Sequence, residues 1–412
     1  MVNLFKIAVR NLLRYKRRTL LTASLITIGV VFVLVFTSVT GSFKAMMIGQ
    51  ITDSMLGHVQ VHRKGYVASI DNLPLNLNIK PKAYQKMTGI LESSPEIASF
   101  SPRLKFGGMF SNFTETTNIR LNGVYPDREF KTVPLLPSRI SEGKKTLSRG
   151  EIMIPALLAR GLKVKVGDAV VVVATNVDGS VNGKQFIVSG ILESATGPGG
   201  RDGYLHIEDA AEVLRMPEAE ISEVAIRLKD FSRLSDAVRN LEGGLSGEVN
   251  KEGRSIFEVH SWEQLSPFFN IARMIDVMTF FIKIMLIAIV LISIMNVMVM
   301  AVYERIREIG TIAAIGTLPG KILSMFVVEG FCLGVLGALI GSLVGAAVVL
   351  IVNLIGIRFD FGQQKGLLLA ATVDPIDLLI ISAIVIVVSV LASLQPAFKA
   401  SRMEPITALR HV

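Results

Sequence analysis

One cysteine and one tryptophan occur in 412 residues, and the scarcity of cysteine alone excludes a disulfide framework. Cys332 stands inside a long apolar run, so no thiol is available to staple the rest of the chain. Catalytic signatures are missing as well. GTLPGKI (Gly316–Ile322) resembles a phosphate-binding loop only superficially. Its glycines are four apart rather than five, and Ile322 stands where a Ser or Thr would hold magnesium. GPGGRDG (Gly197–Gly203) places Asp202 where a dinucleotide-binding loop needs its third glycine. The five histidines are scattered. His58 and His62 are four apart, but in a strand-like run that spacing builds no metal-binding face, and neither H-E-x-x-H nor G-x-S-x-G occurs. These absences argue against an enzyme with its own active site and against a resident metal.

Charge is the next absence. Leu20–Val39, Ile284–Val302, Gly330–Ile357 and Leu378–Leu394 contain no Asp, Glu, Lys or Arg. Crossing a hydrocarbon core of about 30 Å takes about 20 helical residues, so each run is long enough or nearly so. Half of the residues are hydrophobic and the mean hydropathy is +0.52, too apolar for a soluble chain of this length. Residues 1–19 hold Lys6, Arg10, Arg14, Lys16, Arg17 and Arg18 without an acid, which predicts a cytoplasmic N-terminus. The length of the first run, with no small-residue cleavage site after it, predicts an uncleaved anchor. Four spans return Lys399, Arg402 and Arg410 to the same side. The segment between the first two spans, 41–275, has 28 Lys and Arg against 26 Asp and Glu, so most of the net charge of +9 lies on the short segments. The basic balance thus reports topology and contact with anionic headgroups, and no basic stripe for nucleic acid is present.

The expected fold is a polytopic α-helical membrane protein with four transmembrane helices and a large α+β extracytoplasmic domain between the first and second spans. In order, the segments are a basic N-terminus (1–19), a first span (20–40), the outer domain (41–275, with a β-rich insertion at about 125–216), a second span (276–302), a cytoplasmic helix and loop (303–321), a third span (322–357), a short outer loop (358–375), a fourth span (376–396) and a cytoplasmic C-terminus (397–412). Within the outer domain, strands are expected at Gly57–His62, Ser99–Phe106, Asn118–Val124, Glu223–Leu228 and Ile256–His260, and helices at Pro81–Glu92, Asp209–Leu214 and Leu234–Leu241. GDAVVVVATNVDGSVNGKQFIVSGIL reads as a hairpin turning through Asp178-Gly179 and Asn182-Gly183.

Between Trp262 and Tyr303 the only helix breaker is Pro267, so a rod from Gln264 to Glu304 is expected, about 60 Å long at ~1.5 Å per residue. The residues also fit an ordinary span with a separate outer helix. Lys283 is placed to snorkel at the outer boundary. In the third span Gly330, Gly334, Gly337, Gly341 and Gly345 form one stripe that suits close helix packing. Glu329 at its edge is expected to snorkel, to pair with Lys321 or to serve function, and Asn296 to hydrogen-bond a neighbouring helix.

YERIREIGTIAAIGTLPGKI (Tyr303–Ile322) is a short amphipathic helix between two spans. Glu304, Arg305, Arg307 and Glu308 supply polar contacts, and Ile309, Ile312, Ala313, Ile315 and Gly316 an apolar face. From the residues alone it either docks a cytoplasmic partner or rests in the headgroups.

At this helix the sequence resembles the coupling helix of MacB/LolC/LolE-type (type VII, mechanotransmission) ABC transporter permeases, with the pattern E-x-x-R-E-I-G-x-x-x-A-I-G. Glu304, Arg307, Glu308, Ile309, Gly310, Ala314, Ile315 and Gly316 match. FKIAVRNLLRYKRRTLLT resembles the family's N-terminal motif through Ala8, Arg10, Asn11, Leu12, Arg14, Arg18, Thr19, Leu20, Leu21 and Thr22. PAFKASRMEPITALR resembles its C-terminal motif through Pro396, Ala397, Ala400, Pro405, Ala408, Leu409 and Arg410. The resemblance implies a bacterial inner-membrane permease whose outer domain is periplasmic. It also implies a second permease copy or paralogue, and a dimer of separate cytoplasmic ATPases that bind ATP and Mg, since this chain has no fused ATPase. The resemblance extends to lipoprotein-releasing permeases, which pass acylated proteins to a periplasmic carrier. In LolC-type subunits an extended hairpin hooks that carrier. The corresponding turn here, Thr175 to Gln185, is short, which fits a LolE-like subunit or a permease for a different amphiphile.

A substrate cavity between the first two spans is implied by the family. The local sequence permits it through Phe36, Phe43 and Met47 and through Met274, Met278, Phe281 and Met285, flexible and aromatic side chains that suit acyl chains, although such stripes equally serve helix packing or lipid contact. A MacB-like exporter of another amphiphile, an FtsX-like regulator of a cell-wall hydrolase, and a membrane sensor are the competing readings. The large outer domain disfavours the second, and the lack of a cytoplasmic output domain disfavours the third.

Overall fold

A computed structural model describes residues 2–193, 202–249, 253–361 and 364–404. Of the motifs above, Gly197–Arg201, Pro405, Ala408, Leu409 and Arg410 lie outside the described residues, as does the side chain of Arg18. The chain divides into two units, residues 45–272 with 358–367, and the remainder.

The first unit is built on a ten-stranded mixed sheet. Its strands are β1 (Val59–Arg63), β2 (Ile97–Ser111), β3 (Thr116–Val124), β4 (Ile140–Gly143), β5 (Glu151–Pro155), β6 (Ala169–Thr175), β7 (Val181–Leu192), β8 (Asp202–His206), β9 (Glu223–Leu228) and β10 (Phe257–Ser261). They lie in the order β10-β1-β9-β2-β3-β8-β5-β7-β4, with β6 paired to β2 and β7. Alternation of apolar residues makes these strands, but chain order does not set their neighbours. β9 returns after β4–β8 to pair with both β1 and β2, Val61 facing Val224 and Ser101 facing Ala225. The β6–β7 hairpin forms, with Thr175 opposite Val181. Its turn is Asn176–Ser180, and Asn182-Gly183 lie inside β7 rather than in the turn. Gly179 at φ +82 supplies the left-handed residue, and Asp178 accepts from the Ser180 backbone N–H at 2.9 Å.

The helices introduced so far along the chain are α1 (Val2–Arg14), α2 (Lys16–Ile51), α3 (Pro81–Ser93), α4 (Pro126–Thr132), α5 (Ala156–Gly161), α6 (Ile207–Val213), α7 (Leu234–Leu245) and α8 (Trp262–Leu265). Pro81 opens α3 at a position that needs no N–H donor, and its buried Met87 and Leu91 seat it in the core. Charge is buried here too. Arg103 of β2 forks onto both oxygens of Glu129 in α4 (2.7 and 3.1 Å) and donates to Glu223 of β9 at 2.9 Å. Lys105 reaches the other Glu223 oxygen at 2.9 Å. Burial alone would raise the Glu223 carboxyl, but Lys105, His62 and Arg103 outweigh it and hold the group well below its ordinary value.

The second unit contains the apolar runs. Among the described residues four helices are long and apolar enough to cross a membrane: α2 (extended by a π turn to Leu56), α9 (Phe268–Glu304), α11 (Pro319–Ile355) and α12 (Pro375–Ser401). Between α9 and α11 stands α10 (Ile306–Ala314). The rod is shorter than expected. It begins at Phe268, because Pro267 lacks an N–H and α8 ends at Leu265, with Ser266 extended at ψ 127. Residues 358–375 are not a plain loop, since β11 (Arg358–Phe361) and β12 (Gln364–Leu368) pair there.

Packing in this unit is set by small residues. The glycine stripe serves two neighbours. A Cβ built on Gly330 or Gly334 would fall within 2.6 Å of Ser393 or Ser389 of α12, while one on Gly337 or Gly341 would fall 2.5 Å from Ile26 or 2.7 Å from Val30 of α2. Gly345 faces Leu34 at 3.0 Å. Close backbone approach replaces the hydrophobic drive that lipid does not supply. Lys283 does not merely snorkel; it meets Asp377 of α12 at 3.5 Å. Asn353 clamps Ala371 through both its amide groups (2.6 and 2.8 Å). Asn296 is exposed on the single chain.

Candidate functional site

The site is the turn that joins α9 to α11. α9 stops at Arg305, whose φ of −110 and ψ of 16 leave the helical region, and α10 starts one residue later. α10 ends in a Schellman motif. Gly316 takes φ +96, its N–H donates to Ala313 O at 3.0 Å, and the Thr317 N–H donates to Ile312 O at 3.2 Å. Pro319 then opens α11. The glycine and the proline legible in GTLPGKI are thus a helix stop and a helix start.

What holds the turn is a buried charge. Arg305 is 3% exposed and its guanidinium donates to Glu329 of α11 at 3.3 Å. The same guanidinium lies over the ring of Tyr15, 4.7 Å from its centroid. Tyr15 is the residue between α1 and α2, and Arg14 beside it meets Glu308 of α10 at 3.7 Å. α1 is itself seated on α11 through Ala8 and Leu12 against Cys332 and Leu333. Glu329 of α11 and Tyr15 at the junction of α1 and α2 therefore both reach Arg305. In an apolar setting, an ion pair with a stacked aromatic fixes geometry better than apolar contact alone.

The residues expected to couple divide between two faces. Glu304, Arg307 and Glu308 are exposed, as are Ile312, Ile315 (81%) and Gly316. Arg305 turns inward, and so do Ile309 (1%) and Gly310, which pack against the unit's own core together with half-buried Ala313. The expected apolar docking face is therefore smaller than it read from the sequence. Ile312 and Ile315 remain on it, joined by Leu318 at 65% exposure, which the sequence reading missed. Leu318 lies beyond the helix stop at Gly316, out of reach of the period of α10; nothing local marks Tyr15, or Arg305 as the residue that Glu329 meets.

The residues suggested for a substrate cavity differ in exposure. Met47 is 1% exposed and belongs to the core of the β-sheet unit, filling space among its apolar side chains. Phe36 and Phe43 are half-buried. Met274, Met278, Phe281 and Met285 form an exposed stripe on α9. Among the described residues no group of His, Cys, Asp and Glu is gathered for a metal.

Two family models match the chain. The model of the MacB-like periplasmic core domain matches residues 19–243, and that of the FtsX-like permease C-terminal region matches residues 280–405. The chain is 26% identical over 414 residues to the lipoprotein-releasing system transmembrane protein LolC of Neisseria meningitidis serogroup B, covering 95% of this chain and 94% of that one. It is 27% identical over 236 residues to the macrolide export ATP-binding/permease protein MacB of Nitrobacter winogradskyi, covering 56% of this chain and 34% of that protein. The crystal structure of the periplasmic region of MacB from Actinobacillus actinomycetemcomitans aligns with 52% of this chain and 94% of its own at 12% identity, with a TM-score of 0.37.

Proposed function

The chain belongs to the permease family with a MacB-like periplasmic core domain, and from that premise we propose that it couples ATP hydrolysis on a separate ATPase to the extraction of lipoproteins from the inner membrane. It is an ABC transporter permease of the LolC/MacB type, a multi-pass inner-membrane protein. In the proposed arrangement both termini and α10 face the cytoplasm, as the Lys and Arg bias favours. A dimer of ATPases supplies the ATP and Mg site, and a second permease copy or paralogue completes the transporter. Exposed Arg307, Glu308, Ile312, Ile315 and Leu318 form the surface offered to the ATPase, and buried Arg305 and Glu329 transmit its movement into α9 and α11.

The observation that carries this reading is the turn itself. A 37-residue helix ends at a locked residue, and the helix after it presents polar and apolar side chains outward. A headgroup-resting helix needs no buried ion pair at its start. The lipoprotein cargo is favoured by the near full-length similarity to LolC, whereas similarity to MacB spans about a third of that protein. Met274, Met278, Phe281 and Met285 are the side chains proposed to meet acyl chains, and a periplasmic carrier is proposed to accept the cargo.

Two measurements test this. Purified in mild detergent, the chain should retain a soluble ATPase, and Arg307→Ala with Glu308→Ala should weaken that retention; an ATPase held equally by the double variant refutes the coupling surface. In proteoliposomes containing the intact complex, labelled lipoprotein should leave on ATP addition, and its failure to leave refutes the cargo.

A further inference from the structure

A cleft of about 580 Å³ in the β-sheet unit lies where β1 and β10 reach the ends opposite their links to α2 and α8. Arg63, Lys64, Lys80 and Arg254 line it, and no acidic residue does among the described residues. Lys80 pairs with Glu220, which stands outside the lining, and Arg63 donates to the carbonyl of Asn76 at 3.0 Å, which fixes its position.

The wall of the cleft includes the start of α3. Lys80, the residue before that helix, gives it no side-chain cap, and Pro81 has no N–H to offer. The N–H groups of Lys82 and Ala83 then have no acceptor within the helix, and the helix dipole adds partial positive charge at the same point. Ala83 lines the cleft. A second, independent feature stands beside it. Asn78, fully buried, also lines the cleft. Its side-chain oxygen accepts from Ser222 at 2.9 Å, but its Nδ2 donor has no partner among the described residues. A buried donor without an acceptor is costly. An uncapped helix start, four cations and a spare amide donor call for one chemistry, a compact oxyanion with several acceptor oxygens.

The geometry points to a binding site for a phosphate group in this cleft, between the start of α3 and the Arg63–Lys64 end of β1. It is independent of the transport reading and of the α10 surface. Apolar Leu77 and Ile256 also line the cleft, leaving room for an organic group attached to the phosphate. A soluble phosphate compound and a phospholipid headgroup share this chemistry.

The test uses the full chain in nanodiscs of neutral phosphatidylcholine. Inorganic pyrophosphate is titrated by calorimetry, and flotation with phosphatidylglycerol vesicles is compared with flotation with phosphatidylcholine vesicles. The variants are Arg63→Gln with Arg254→Gln, and Lys64→Glu alone, an exposed position where folding is not at stake. Pyrophosphate binding weakened about tenfold or more in both variants supports the site and a soluble source. Phosphatidylglycerol-selective flotation lost in the same variants supports the site and a headgroup source. Binding of neither probe, or binding that both variants retain, overturns it.

Discussion

Replacing Glu329 with Gln leaves the Arg305 guanidinium buried without its counter-charge. At 3.3 Å and an effective dielectric constant near 20, the attraction is about 5 kcal/mol. Desolvation of both groups opposes it, so the pair as a whole adds little relative to apolar substitutes, but removing one member costs about 3–5 kcal/mol. The ring of Tyr15 over the guanidinium offsets part of that, by about 1–2 kcal/mol. We therefore expect Glu329→Gln to lower stability by about 1–4 kcal/mol and to uncouple α10 from α11. The assay is a double-mutant cycle of Arg305→Gln and Glu329→Gln, read by reversible unfolding in mixed micelles and by stimulation of the partner ATPase. The double variant should be less damaged than the sum of the single ones, with a coupling energy of about 2 kcal/mol or more. A coupling energy below about 0.5 kcal/mol refutes the lock, because residues that interact across a buried 3.3 Å contact cannot behave independently.

The two faces of α10 should respond differently. Ile315→Glu, at an exposed position, should weaken ATPase association by about tenfold with unfolding unchanged, whereas Ile309→Ala should cost about 2–5 kcal/mol of stability, which pull-down and unfolding together distinguish. Gly337→Ala brings a Cβ within 2.5 Å of Ile26 and Gly341→Ala one within 2.7 Å of Val30, so each should destabilise by about 1–3 kcal/mol, while Gly320→Ala, with open space around it, should not. Glu223 has a folded-state pKa below its unfolded value, so its contribution is present above about pH 4 and is lost as pH falls towards its folded-state value. Thermal unfolding of the β-sheet unit should therefore steepen its pH dependence below about pH 4, and Glu223→Gln should flatten that slope; an unchanged slope rules Glu223 out as its source.

The four apolar helices were legible because their cause is local: a run of some twenty uncharged residues has no other low-energy state in lipid. In the outer domain β1, β2, β3, β6, β7, β9 and β10 and α3, α6 and α7 were legible from period, whereas β4, β5, β8, α4 and α5 were not; the stop after α10 was legible from Gly316 and Pro319, since backbone preference belongs to the residue itself, but α11 starts at Pro319 rather than at 322. Partners were not legible. Five evenly spaced glycines announce close packing, yet only the fold divides them between α12 and α2. Met47 continues the stripe of Phe36 and Phe43 along α2, but it is buried among residues distant in sequence.

In the β-sheet unit, chain order does not reveal that β9 slips between β1 and β2, because strand pairing is settled by which apolar faces meet. Arg305 shows the same limit most plainly. By sequence it is one more cation on an amphipathic helix. By structure it is buried, because Glu329, 24 residues away, and Tyr15, near the other end of the chain, arrive to receive it. Helical and apolar character follow from a residue and its near neighbours. The direction a charged side chain takes depends on a counter-charge that only the assembled fold delivers.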